Sequence, residues 1–212
     1  MAIVLNGTNA AGNIDLGTNG TITDLAVGGL PDGIVDTDML AASAVTAAKS
    51  SGLTNQGVTH FDTWHVNTEF SGTALPITSN WETMEHYNTG YVGAAMTQSS
   101  GIFTFPVTGY WFLNFHASFR STVEQDYVGT TIRITQNNSS YSDASANYSH
   151  TSRTGGANSV YSESHCNFIA NIDDLSNQKV CFGVEMNDSN GLCRASGDKV
   201  ITGVEFIRLG DT

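Results

Sequence analysis

Positive charge is scarce in this sequence: 8 Lys and Arg stand against 20 Asp and Glu, for a formal net charge of -12. So acidic a chain lacks the basic field that attracts nucleic acid or an anionic membrane surface, and neither is an expected partner. Long apolar runs are missing too. Nowhere do 18 apolar residues follow one another, which argues against a membrane-spanning helix. The opening MAIVLNGTNA carries neither the basic nor the apolar region of a signal peptide. The expectation is a chain assembled in the cytoplasm without membrane insertion. Cysteine is limited to Cys166, Cys181 and Cys193, spaced 15 and 12 residues apart, which matches no CxxC metal or redox pair. They read as free thiols that pack in a core, with one disulfide as the alternative. GxSxG, HExxH, Walker and GxGxxG motifs are absent, and no paired carboxylates mark a glycosidase, so no enzyme is expected.

Charged residues make up 13% of the chain, Leu is infrequent, and Gly, Asn, Ser and Thr abound. That mixture suits short strands and turns better than surface helices, so an all-β fold is expected. Residues 1–35 set Gly, Asn, Asp and Thr between single aliphatics, and LNGTNAAGNIDL is half-echoed in LGTNGTITDL. Such a stretch builds no core of its own and reads as an extended arm. Its Ile3, Leu5, Ile14, Leu16, Ile22, Leu25 and Leu30 are then available for docking on a larger assembly. Residues 36–52 read as one short helix, with Asp36 as cap, Asp38 in the first turn and Gly52 past the end. Its stripe of Val35, Met39, Ala42 and Thr46 suits either a three-chain neck or a helix lying on another surface. Residues 53–57 are a linker.

From residue 58 to 212 the apolar period is two, as in half-buried strands. Between Tyr110 and Arg120, the side chains of Trp111, Leu113, Phe115, Ala117 and Phe119 form one apolar face. The opposite face starts with Tyr110 and Phe112 and turns polar at Asn114, His116, Ser118 and Arg120. Similar alternation groups Val128, Ile132 and Ile134; Cys166, Phe168, Ala170 and Ile172; and Val180, Phe182, Val184 and Met186. The last strand is read with Val200, Val204 and Phe206 on one face and Ile201, Ile207 and Leu209 on the other. A strand apolar on both faces needs cover from outside its own sandwich.

The stretch GIFTFPVTGYWFLNFHASFR, residues 101–120, resembles the central signature of the globular heads of complement q-subcomponent and tumour necrosis factor-like proteins. Phe103, Phe105, Pro106, Gly109, Tyr110, Phe112, Phe115, His116, Ala117 and Ser118 carry the likeness. ITGVEFIRL is similar to the family's last strand and HFDTWHV to its first. The resemblance implies an antiparallel two-sheet jelly roll of ten strands over 58–212. It also implies a compact homotrimer with Tyr110, Phe112, His116, Ile201, Ile207 and Leu209 at the interface. The arm resembles the openings of structural proteins of tailed bacteriophages, although no collagen-like Gly-x-y run precedes the head.

These readings lead to an expected function: a trimeric bacteriophage fibre or knob, fixed to tail or capsid by its arm. A capsid decoration protein is the alternative, and a glycan-acting enzyme a distant third. A host glycan or protein is an expected partner of the head. The segment 136–158, rich in Tyr, Ser, Asn and Gly, suits an adaptable binding surface, with Tyr141, Tyr148 and His150 as its stacking groups. Two oxygen-rich loops, at Asp173–Asp174 and at Asn187, Asp188 and Asn190, are candidates for calcium. Neither carries the full Asp-x-Asn-x-Asp-Gly spacing, so no cofactor is expected. His60 and His65, five apart, should face opposite sides of a strand and make no metal site.

Overall fold

The computed structural model describes residues 57–83, 90–152 and 159–212. The expected arm, helix and arm docking residues lie outside these. Among the described residues there are strands and no helix, arranged as two antiparallel sheets.

The first sheet is built around β6 (Gly109–Ser121), whose whole length pairs with β9 (Val160–Ile172). The other edge of β6 is shared by β12 (Gly203–Gly210) and the two-residue β11 (Leu192–Cys193). Beyond β12 come β1 (Phe61–Val66) and β3 (Trp81–Thr83), and beyond β11 lies β2 (Phe70–Ser71). The second sheet runs β4 (Thr97–Ser99), β5 (Ile102–Thr104), β10 (Lys179–Met186), β7 (Gln125–Thr135) and β8 (Tyr141–Thr151). Twelve segments replace the ten of the resemblance.

The sheets face each other through the residues that the period-two pattern assigns inward. Trp111, Leu113, Phe115, Ala117 and Phe119 of β6 are buried, as are Val180, Phe182, Val184 and Met186 of β10. Phe168 is only half-buried against this core. Phe103 sits at its centre, with ring centroids 5.4 Å from Trp64, 5.2 Å from Trp81, 5.4 Å from Phe182 and 5.3 Å from Phe206. Edge-to-face rings of this kind add about 0.5 to 1.5 kcal/mol per pair beyond burial. The indole N–H groups are satisfied locally: Trp81 donates to the Ile77 carbonyl and Trp111 to that of Val107. Buried Asp62 receives Trp64 Nε1 and the Met96 amide, tying β1 to the segment before β4. One side of the sandwich is stitched by hydroxyls, with Ser149 bonded to Ser162 and Ser164 bonded to both Thr130 and the Asn147 carbonyl.

Gly109, the glycine of the signature, has φ +141, and a Cβ there would lie 2.4 Å from the Gly210 carbonyl oxygen. Only glycine lets the two chain ends of β6 and β12 meet so closely. The last strand needs correction. It begins at Gly203, because fully buried Thr202 donates to the Arg194 carbonyl at 2.7 Å and accepts the Ser118 amide, holding 200–202 in a turn. Val200 and Ile201 therefore do not extend the faces of β12.

All three cysteines are free and buried. Burial raises each thiol, to about 11 for Cys181 and about 12 for Cys193, which leaves almost no thiolate at neutral pH. A thiol reagent at pH 8 is expected to label none of them in the native head and all three in guanidinium. Labelling of one cysteine in the native head at the rate of a free thiol would show that its burial is incomplete.

Candidate interaction face

The outward face of the first sheet is organised by strand register into rows that run across four strands. Phe61 of β1 pairs with Ile207 of β12, which pairs with Phe112 of β6, which pairs with Ile169 of β9. A bridge between Phe61 and Val92 extends this row to five apolar residues. Ile169 is 55% exposed and Val92 48%. Tyr110 and Leu209, both exposed, flank the row at the same end of the sheet. The band is thus wider than Tyr110, Phe112, Ile207 and Leu209 alone, and Phe61, Val92 and Ile169 were not foreseen.

The next row is polar: Thr63, Glu205, Asn114 and Asn167. Asn114 donates to Glu205 at 2.6 Å across β6 and β12. The row after that is His65, Gly203, His116 and His165. His65 is 1% exposed and neither ring nitrogen has a hydrogen-bond partner in the protein. His116 and His165 open instead onto a cavity of about 510 Å³, lined also by Ser118, Glu163, Arg194 and Ile201. Arg194 lies over the Tyr161 ring at 5.0 Å and 3.9 Å from Glu69. His116 thus shares the outward face with Phe112 and Ile207, while Ile201 borders the cavity from the turn before β12. Among the described residues no hydrogen bond joins His116 or His165 to a hydroxyl or carboxylate of the cavity lining.

The second sheet places the expected stacking groups differently. Tyr148 is 52% exposed on its outer face and His150 is exposed on the same strand. The Tyr141 hydroxyl is buried and has no hydrogen-bond partner, so Tyr141 does not present its polar end outward. The two oxygen-rich loops are satisfied internally. Asp174 accepts the Ser176 and Asn177 amides and the Asn177 side chain, and this last bond leads in holding its carboxyl below the usual range. Asp188 accepts the Asn190 amide and side chain, both at 2.7 Å. These are Asx turns. Among the described residues no three His, Cys, Asp or Glu side chains converge on a metal position, and no helix is long and apolar enough to cross a membrane.

No protein-family model matches the chain, and no curated protein matches it. Solved structures with a similar course of chain include the Eiger TNF of S. frugiperda, at 11% identity and a TM-score of 0.49. That match covers 72% of this chain and 93% of the other. Murine APRIL is similar in two crystal structures. At pH 5.0 the identity is 10% and the TM-score 0.48, covering 71% of this chain and 98% of APRIL. At pH 8.5 they are 12% and 0.46, covering 71% and 99%.

Proposed function

We propose that this chain is a structural subunit of a bacteriophage particle, a homotrimeric fibre or knob fixed to the virion by its N-terminal arm. The observation that carries this reading is the apolar row Val92, Phe61, Ile207, Phe112 and Ile169 on an outward sheet face. A soluble chain covers such a band by association, and closed cyclic symmetry does so without leaving a free end to the assembly. The signature at 101–120 favours three copies around the axis. The arm supplies the attachment. Its scattered aliphatics support no core of their own, and three arms acting together hold one head far more tightly than one arm does.

Light scattering of the full chain is expected to give three times its 22.5 kDa mass. A stable monomer at micromolar concentration overturns the association. A chain beginning at Gly57 is expected to remain a folded trimer and to be missing from purified particles. Normal incorporation of that shortened chain places the attachment elsewhere, and roughly hundreds of copies per particle favour capsid decoration over a fibre.

A further inference from the structure

A second surface lies on the outer face of the other sheet, where register aligns Glu185 of β10, Gly129 of β7 and Tyr148 of β8 in one row. A side chain at the middle position would block the row: a Cβ on Gly129 would lie 2.4 Å from Tyr148 Cδ1. With only hydrogen there, the Tyr148 ring crosses the strand and its hydroxyl donates to Glu185 Oε1 at 2.9 Å. Thr131 donates to the same oxygen at 3.2 Å. Tyr127 stands against the ring edge-on, with centroids 6.0 Å apart at 84°. The two rings stand nearly perpendicular, Tyr148 52% and Tyr127 40% exposed, and Tyr148 is held by its hydrogen bond to Glu185 before any ligand arrives.

The charge of this corner selects its occupant. Among the described residues Glu185 pairs with no basic side chain, and the hydrogen bonds it accepts from Tyr148 and Thr131 both fall on one oxygen. Arg133, the one cation of the neighbouring β7, is paired with Asp143 at 2.8 Å. The Tyr148 hydroxyl stays protonated, raised chiefly by its hydrogen bond to Glu185. Two electron-rich ring faces beside an uncompensated carboxylate attract an organic cation and repel an anion. Because the Tyr148 ring is already fixed, less ordering opposes binding. We infer that the Tyr127–Tyr148–Glu185 corner is a binding site for a small alkylated ammonium group of the choline type. It lies on the opposite sheet from the proposed trimer face and does not depend on that association.

Choline chloride, titrated at constant ionic strength, is the probe. Its N-methyl proton signal is expected to move upfield in the ring currents, together with the ring resonances of Tyr127 and Tyr148. Glu185→Gln keeps the shape and removes the charge, and is expected to weaken the response about tenfold. Tyr127→Ala is expected to do the same with the melting temperature of the head preserved, so that loss of fold is not the cause. The neutral isostere 3,3-dimethylbutan-1-ol and methyl β-glucopyranoside should give much smaller shifts. The site is refuted if choline produces no saturable shift, if Glu185→Gln leaves that shift intact, or if either neutral probe matches it.

Discussion

Phe103→Ala is expected to lower the stability of the head by about 4 kcal/mol, near the upper end for loss of a buried aromatic ring. The magnitude follows from its surroundings. Phe103 is fully buried and its ring touches Trp64, Trp81, Phe182 and Phe206, which come from both sheets. These four are large and pinned by their own neighbours and hydrogen bonds, so they cannot collapse into the space a ring leaves. For a domain of this size the change corresponds to a fall in Tm of about 10 to 15 °C. Because association adds to apparent stability, mutant and parent should be unfolded in guanidinium at equal protein concentration. Phe168→Ala is the control: half-buried at the margin of the core, it should cost under about 2 kcal/mol. Equal losses at the two positions would mean that the ring cluster is not the centre of the core.

Phe112→Asp is expected to convert the assembled protein to monomers at micromolar concentration. The side chain sits between Ile207 and Ile169 in the middle of the outward apolar row, so association would bury a carboxylate with no cation in the row to meet it. Stripping water from an unpaired carboxylate costs several kcal/mol, repeated in each copy, against an interface whose favourable term is apolar burial. Folding of the single sandwich should be little changed, because Phe112 points away from the core that Trp111 and Leu113 fill from the same strand. The readout is mass by light scattering, with near-ultraviolet circular dichroism confirming the packed aromatics. Full retention of the assembly by Phe112→Asp removes this face from the interface.

Inward and outward residues of the long strands were legible in the sequence because period two is a local signal: neighbours along the chain decide it. Trp111 through Phe119 and Val180 through Met186 are buried for that reason. The rows were not legible, since a row joins residues far apart in sequence and depends on which strand edges pair, and in what register. Nothing near Phe61 announces Ile207, and nothing near Tyr148 announces Glu185. Ile201 misled because its parity fits β12, while the Thr202 hydrogen bonds that bend the chain just before the strand connect to Arg194 and Ser118. Tyr141 and Tyr148 look equivalent by composition. Gly129 on the neighbouring strand lets the Tyr148 ring cross to Glu185, whereas Tyr141 pairs with Thr135 and its hydroxyl is buried.

The position of β12 bears on how the head is made. This strand is the last of the sheet in chain order, yet it lies between β6 and β1, and its Val204 and Phe206 are wholly enclosed. While a ribosome is still adding residues before Gly203, β1 has no neighbour on that side and the ring cluster around Phe103 lacks Phe206. The nascent head therefore exposes a hydrophobic slot until Gly203–Gly210 has left the ribosome, and closes in one long-range step of the kind that makes β-sandwiches slow folders. A ribosome stalled before β12 has emerged should hold a chain that chaperones bind and proteases cut, and emergence of β12 should end both.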